Sequence, residues 1–186
     1  ALAHEEVSNL LEPPTMYARL LAHIEAGHGA PRFPALRYVY TGSAPLDPAL
    51  KQRVEALFGQ PLHYGYGLSE YAGSVFLTRV EAPRADTAAG HAVEGGEARI
   101  VDGDGRDVPM GETGEIWLRG PGLMLGYFRD AAATAQVMRP GGWYATGDLG
   151  RFGDDGVLFV VGRLKEMIIR SGFNVYPAEI EAVIGR

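Results

Sequence analysis

The sequence predicts an α/β fold that gives way, near residue 90, to a small antiparallel β region. In the first part, short apolar runs with strand character alternate with a helical pattern and are joined by loops of small residues. In the second part, short strands follow one another with frequent turns, such as the Asp-Gly pairs at residues 102–105. We therefore expect an α/β subdomain over residues 1–89, a β-barrel-like subdomain over residues 90–164, and the truncated start of a small α+β domain over residues 165–186.

Composition narrows the classes of protein and of partner. The 186 residues are 46% hydrophobic and 22% charged, which is ordinary for a globular chain. The net charge of -6 and the lack of a basic patch make nucleic acid an unexpected partner. The chain has no cysteine, so disulfides and cysteine-based metal sites are excluded. No apolar run approaches the roughly 18 residues of a membrane span, and we expect a cytoplasmic protein.

The elements of the first part follow from caps and periodicity. We expect Thr15 to cap a helix whose apolar residues recur at helical spacing until Gly27. Residues 36–40 are apolar and aromatic, which predicts a buried strand. Asp47 is then expected to cap a second helix, with Pro48 at its first position and Gly59 at its end.

Two loops are predicted to leave neighbouring strands of this sheet. Residues 42–45 follow the first strand, and residues 65–70 follow a short strand at 61–64. Ligands bind where loops leave the carboxyl ends of strands in open α/β sheets, so the two loops are candidate walls of one slot. The second loop alternates rings with glycines and ends in Ser69-Glu70, groups that suit a flat base, a phosphate and Mg²⁺.

The second part is read as strands at 97–101, 114–119 and 156–161, interrupted by a short helix at 134–138. Asp148 lies between glycines and is flanked by aromatic residues. It is either a turn aspartate or part of a polar site. A strand at 167–169 is expected to turn and return through Val175, before a helix that starts at Pro177.

Six motifs, in order along nearly the whole chain, resemble the adenylate-forming (AMP-binding) superfamily, in its acyl-CoA synthetase branch. The motif Tyr-Gly-x-Thr-Glu is matched at 66–70, with Ser69 in place of threonine. The other five motifs are Pro-Pro-Thr at 13–15, Gly-Ser-Ala-Pro at 42–45, Gly-Glu-Ile at 114–116, Tyr-Ala-Thr-Gly-Asp at 144–148, and Gly-Arg-Leu-Lys-Glu at 162–166.

The resemblance implies a nucleotide site. Tyr66 would stack on adenine, opposite a loop made of Gly42, Ser43, Ala44 and Pro45, with Gly67 beside it. Ser69 would contact the α-phosphate, and Glu70 would be both catalytic and the ligand of Mg²⁺. Asp148 would accept the ribose hydroxyls, with help from Arg163.

The resemblance also implies sites for an acid and for a thiol. The expected acid-pocket residues are Tyr40, His63, Tyr64, Gly65 and Ala72. They are aromatic or small and include no obvious cation, which favours an apolar acid, fatty or aromatic, over a dicarboxylate. Lys165 would be the hinge between the large and small domains, and Ser171, Gly172 and Phe173 would face a thiol tunnel.

The implied reaction consumes ATP and a small carboxylic acid, releases pyrophosphate, and passes the acyl group from AMP to coenzyme A. An adenylation domain that loads a carrier-protein thiol is an alternative, as is a catalytically inactive fragment. The family's phosphate loop is expected upstream of residue 1 and its catalytic lysine downstream of residue 186. We therefore expect the isolated chain to be inactive or nearly so.

Overall fold

The computed structural model describes residues 6–29, 33–170, 173–177 and 180. Two five-stranded sheets and one two-stranded sheet make up its β structure. In chain order the strands and helices are β1 Asn9–Leu11, α1 Pro14–His23, β2 Tyr38–Thr41, α2 Pro48–Phe58, β3 Leu62–Leu68, β4 Gly73–Leu77, β5 His91–Ala92, β6 Glu97–Val101, β7 Gly114–Arg119, α3 Ala131–Val137, β8 Met138–Arg139, β9 Trp143–Phe152, β10 Leu158–Arg163, β11 Ile168–Arg170 and β12 Phe173–Val175.

The first sheet has the strand order β1-β2-β3-β4-β5. Strands β1, β2 and β3 are parallel, and β3, β4 and β5 are antiparallel. Helix α2 supports this sheet, and its predicted start and end are confirmed: Asp47 accepts a hydrogen bond from the Leu50 backbone N at 2.8 Å, and Gly59 ends the helix in the left-handed conformation. The predicted cap at Thr15 is wrong, because α1 begins at Pro14, whose ring fixes the backbone angle that a first helical residue needs.

Strand β3 is longer than the sequence suggested. We expected the chain to leave the sheet at residue 65, yet the strand continues through Leu68. The unforeseen strand β4 pairs with it in antiparallel register and takes up its backbone hydrogen bonds. The chain reverses only afterwards, in a 3₁₀ turn at Ser69–Tyr71. Tyr66 is therefore held in a strand rather than in a loop.

The second sheet is an antiparallel, curled half-barrel with the order β10-β9-β7-β6, and β8 pairs with β9. The predicted bounds of β6 and β7 are confirmed. Strand β10 starts and ends two residues later than expected. Helix α3 begins three residues earlier than expected, because Asp130 caps it. The ten-residue strand β9 was not foreseen, and it carries Asp148 near its middle.

The two large sheets meet along a seam. The backbone N of Ala89 donates to the Leu158 carbonyl at 2.7 Å, and the Leu158 N donates to the Gly90 carbonyl at 3.0 Å. The rings of Phe76 and Phe152 lie 6.3 Å apart across the same seam. A continuous cluster of buried apolar side chains runs from the first sheet into the second, so both sheets share one core.

The last described elements form a hairpin near the end of the chain. Strands β11 and β12 form the predicted hairpin, while most of the helix expected after Pro177 lies outside the described residues. None of the helices in the described ranges is long and apolar enough to cross a membrane.

A buried lysine ties helix α2 to the start of strand β3. Lys51 is 2% exposed, and its Nζ lies 2.5 Å from Oε1 of Glu55 and 3.0 Å from the Leu62 carbonyl oxygen. The same Glu55 oxygen accepts a hydrogen bond from the Leu62 backbone N at 2.9 Å. Lys51 thus has its charge paired with Glu55 and a second N–H directed at the Leu62 carbonyl, which offsets the cost of burying a charge.

We predict that Lys51→Met lowers the free energy of unfolding by about 3 kcal/mol, because it leaves a carboxylate and a buried carbonyl without their cation. Methionine keeps the length of the side chain, so packing is largely preserved. The matched control is Arg53→Met on the same helix, which breaks an exposed ion pair with Glu25 and should change stability by less than about 0.5 kcal/mol. Urea denaturation measures both, and equal effects of the two substitutions would contradict the prediction.

Candidate active site

A cleft of about 580 Å³ opens where β2 and β3 end and the chain turns after β3. The structure brings together in its wall two segments that are more than twenty residues apart in sequence, one beginning at Gly42 and one at Gly65. The lining residues are Leu11, Glu12, Pro13, Tyr40, Gly42, Ser43, Gly65, Gly67, Leu68, Ser69, Ala72, Gly73 and Ser74.

The loop after β2 presents mainly backbone to this cleft. Ser43 has a positive φ of 68°, a conformation that a side chain disfavours and that tertiary contacts must hold in place. One such contact is the hydroxyl of Tyr64, which donates to the carbonyl oxygen of Ala44 at 3.0 Å. Pro45 follows on the exposed surface. The loop is thus a fixed strip of peptide, suited to lie against a flat ring.

Tyr66 and Asp148 are joined across the two sheets. The Tyr66 hydroxyl donates to Oδ2 of Asp148 at 2.7 Å, although the residues are 82 positions apart. Asp148 is held from its own strand as well, because its backbone N donates to Oγ1 of Thr146 and that hydroxyl donates to the Ile116 carbonyl. On its other oxygen, Oδ1, Asp148 faces Nε of Arg163 at 3.4 Å.

Burial governs the electrostatics of this pair. It raises the pKa of the Asp148 carboxyl, while the Tyr66 hydrogen bond and the charge of Arg163 oppose that change. Burial likewise raises the pKa of the Tyr66 hydroxyl, and the neighbouring Asp148 charge raises it further. Tyr66 is therefore a neutral donor at physiological pH, so one Asp148 oxygen is occupied and the other faces a half-exposed arginine.

Ser69 and Glu70 follow at the end of β3. The Ser69 side chain is exposed at the cleft, and Glu70 is half-buried. The hydroxyl of Tyr127 donates to Oε1 of Glu70 at 2.9 Å and lies 3.5 Å from the hydroxyl of Tyr144. Among the described residues, Glu70 belongs to no cluster of three potential metal ligands. A single glutamate still fits a Mg²⁺ site, because Mg²⁺ is typically held by one or two carboxylates together with phosphates of the substrate.

The expected acid-pocket residues divide into two groups. Tyr40, Gly65 and Ala72 line the cleft, and the Tyr40 hydroxyl lies 3.3 Å from Oγ of Ser74. A Cβ at position 65 would lie 2.3 Å from the Tyr40 hydroxyl, so only glycine leaves room for that ring.

His63 and Tyr64 lie behind the cleft rather than in its wall. The His63 ring stacks on Tyr38 at 4.9 Å, and its Nδ1 lies 3.3 Å from Oγ1 of Thr78. Burial and the charge of Lys51 lower the pKa of His63, which makes it a neutral core residue at physiological pH. The side chain of Tyr64 is directed to the Ala44 carbonyl, as described above.

The remaining candidate residues lie at the end of β10 and in the segments that follow it. Arg163 is paired in register with Asp148, and Lys165 follows in an exposed 3₁₀ turn at Leu164–Glu166. Phe173 is paired with Arg170 in the β11–β12 hairpin. Ser171 and Gly172 lie outside the described residues.

Four polar side chains of the site were not predicted from the sequence: Glu12, Ser74, Tyr127 and Thr146. Thr146 stood inside a quoted motif, two positions before Asp148, where a hydroxyl can accept the aspartate's backbone N–H. Tyr127 reaches Glu70 from 57 residues away, and only the pairing of the sheets brings it there. No local sequence signal marks Glu12 or Ser74 as lining residues.

Comparison with known proteins gives three results. The model of the AMP-binding enzyme family matches residues 1–128. A long-chain-fatty-acid–CoA ligase of Yersinia pestis is 40% identical over 170 residues, covering 91% of this chain and 30% of the relative. A 4-coumarate–CoA ligase-like protein of Oryza sativa subsp. japonica is 43% identical over 152 residues, covering 80% and 28%.

The anthranilate CoA ligase AuaEII, solved in complex with anthranoyl-AMP, superposes with a TM-score of 0.87 and 29% identity, over 97% of this chain and 34% of that one. The chain thus spans about a third of the length of these relatives and has the fold of the N-terminal domain of adenylate-forming enzymes. On these findings the chain belongs to the AMP-binding enzyme family, the adenylate-forming group that includes the acid–CoA ligases.

Proposed function

We propose that this chain is the nucleotide-binding part of an acid–CoA ligase that activates a carboxylic acid with Mg-ATP and transfers the acyl group to coenzyme A. The observation that carries the proposal is the bond between Asp148 and Tyr66, whose neighbours Gly65 and Gly67 line the cleft. It joins the residue proposed for adenine to the residue proposed for ribose. The relatives named above are CoA ligases of fatty and aromatic acids, and one is bound to an acyl-adenylate.

The first half-reaction would take place at the mouth of the cleft. An oxygen of the acid attacks the α-phosphorus of ATP, and the bond to pyrophosphate breaks. Ser69, exposed at the cleft, donates a hydrogen bond to the α-phosphate, and the backbone of Gly42 and Ser43 lies under the base. Glu70 would hold Mg²⁺, which when bound would neutralise charge at the phosphates. The protein's main contribution is therefore to position the two reactants.

In the second half-reaction the thiol of coenzyme A attacks the acyl carbon, and AMP leaves. Lys165 is proposed as the hinge for the change between the two steps, because it lies in an exposed turn directly after β10. Arg163 precedes the turn and is paired with Asp148 between β10 and β9, so it would stay with the large domain when the chain rotates at Lys165. The division into parts at residues 1–89, 90–164 and 165–186 belongs to the same proposal, as does the thiol-tunnel role of Ser171, Gly172 and Phe173.

The cleft favours an apolar monocarboxylic acid, fatty or aromatic. In the part of the chain that the structure describes, no cation lines it, and Glu12 is its one charged side chain. A second carboxylate on the substrate would meet this acidic group without a partner. The aromatic ring of Tyr40 and the small residues Gly65 and Ala72 instead leave apolar space.

The test of the proposed function is an acid panel with the full-length protein that contains this chain. Fatty, aromatic and dicarboxylic acids are compared by pyrophosphate release with Mg-ATP, in the presence and absence of coenzyme A. We expect monocarboxylic apolar acids to be turned over and dicarboxylic acids to be at least about ten-fold poorer, because an unpaired charge is costly in such a cleft. Pyrophosphate release that no acid stimulates would contradict the proposal, and acyl transfer to a carrier protein but not to coenzyme A would revise the acceptor.

We predict that Asp148→Asn weakens binding of AMP to the full-length protein by about 30-fold, because hydrogen bonds to a charged acceptor contribute about 2 kcal/mol. Isothermal titration calorimetry gives the dissociation constants. The control is Asp155→Asn, which removes an exposed aspartate paired with Arg84, away from the cleft. A loss of affinity that is the same for both substitutions would show that Asp148 has no special role.

The pH dependence of AMP binding gives a further prediction. Because burial raises the pKa of Asp148, its protonation and the loss of AMP should begin at a higher pH than an ordinary aspartate would give. The hydrogen bond from Tyr66 and the charge of Arg163 hold this pKa down, while the charges of Glu70 and Glu166 raise it.

Tyr66→Phe removes the hydrogen bond from Tyr66, which is one of the two influences that lower the pKa of Asp148, and keeps the aromatic ring. It should therefore shift the acid limb of AMP binding to higher pH, as measured by calorimetry at a series of acidic pH values. Tyr71→Phe is the control, since that hydroxyl faces the Arg119 carbonyl instead. An acid limb that stays in place, or moves to lower pH, in Tyr66→Phe would contradict the assignment.

A further inference from the structure

Tyr127 connects the second half of the chain to the carboxylate of Glu70. It lies in the segment between β7 and α3, and its hydroxyl donates to Oε1 of Glu70 at 2.9 Å. A tyrosine hydroxyl donates a hydrogen bond without bringing a positive charge to the carboxylate. The contact thus fixes the orientation of Glu70 without pairing it with a cation.

The backbone around Tyr127 is itself held at several points. The backbone N of Met124 donates to the Glu70 carbonyl oxygen at 2.7 Å, and the Tyr127 N donates to Oγ1 of Thr134 at 2.9 Å. Gly126 has a φ of 152°, and a Cβ there would lie 2.9 Å from Cγ2 of Thr134. The segment is therefore docked on both the main chain and the side chain of Glu70, which fixes where the phenol can lie.

Of the two oxygens of the Glu70 carboxylate, Oε2 accepts no hydrogen bond from the residues that the structure describes. Within the described ranges, Tyr127 supplies the one hydrogen bond that Glu70 accepts on its side chain, and it uses Oε1. The hydroxyl of Tyr144 lies 3.5 Å from the Tyr127 oxygen and is placed to donate to it, since the Tyr127 proton is already directed at Glu70. The second carboxylate oxygen keeps its lone pairs for another ligand.

We propose that Tyr127 is a positioning residue that orients Glu70 toward the divalent cation of Mg-ATP, a role that rests on the proposed function. Groups that hydrogen-bond a metal-ligating carboxylate fix its direction, and their loss commonly weakens metal affinity by about 10-fold or more. Tyr127 touches neither substrate nor metal. It acts through Glu70, and the Tyr144 hydroxyl supports it from behind.

The experiment measures cation affinity directly in the full-length protein. Mn²⁺ replaces Mg²⁺, and electron paramagnetic resonance gives the dissociation constant of Mn²⁺ in the presence of a non-hydrolysable ATP analogue. We expect Tyr127→Phe to weaken Mn²⁺ binding about ten-fold and to leave the affinity for the metal-free analogue unchanged. Tyr71→Phe is the matched control, because it removes a hydroxyl from the same 3₁₀ turn as Glu70 without touching that carboxylate.

A double-mutant cycle separates positioning from a general structural effect. If Tyr127 acts through Glu70, then Tyr127→Phe has no further effect on Mn²⁺ binding in a Glu70→Gln background. Additive losses in the double mutant would overturn the proposal. So would a Mn²⁺ affinity of Tyr127→Phe that equals the affinity of the control Tyr71→Phe. The failure of the proposed function has a different signature: the unsubstituted protein would then bind no Mn²⁺–nucleotide complex and show no acid-dependent pyrophosphate release.

Discussion

The arrangement of the site depends on one hydrogen bond, from the hydroxyl of Tyr66 to the carboxylate of Asp148. Tyr66 belongs to the first sheet and Asp148 to the second, so the bond exists only when the two sheets are docked. The backbone bonds between Ala89, Gly90 and Leu158 hold that docking, and the shared apolar core supports it. The ring proposed for the base and the carboxylate proposed for the ribose are thereby held at a set distance from each other, which is what catalysis by positioning requires.

Much of this arrangement could be predicted from the sequence, because several of its signals are local. Asp47 and Gly59 mark the ends of a helix through their own backbone preferences, and the turn residues beside β6 and β7 indicated the bounds of these strands. The prediction failed where the partner was remote. Residues 65–68 carry two glycines and suggest a loop, yet β4 supplies an antiparallel neighbour and keeps them in a strand. Asp148 between glycines suggests a turn for the same reason, whereas three neighbouring strands hold it in β9.

The residues of the site, like the elements of the fold, could be predicted only where the signal was local. The motif at residues 66–70 identified Tyr66, Ser69 and Glu70 by type and spacing, and the structure places them in one strand and the turn that follows it. It could not show that His63 and Tyr64 are both buried outside the lining of the cleft, because the burial of each face of a strand depends on what packs there. Nor could it reveal Tyr127, whose role depends on a contact across 57 residues.

The two carboxylates of the site are held in a reciprocal way. Asp148 of the second sheet receives a tyrosine hydroxyl from the first sheet, and Glu70 at the end of the first receives one from the second half of the chain. A lysine or arginine in either place would cancel the charge on which the proposed contacts with ribose and a cation depend, whereas a phenol orients a carboxylate without cancelling its charge. The cation Arg163 faces Asp148 at 3.4 Å and is half-exposed, so water screens it and a ligand can displace it. Tyr66 donates from the first sheet to Asp148 of the second, and Tyr127 donates to Glu70 from the segment between β7 and α3. Each acid is therefore held by a donor that is remote in the chain, and the docking of the two halves is part of the geometry of the site.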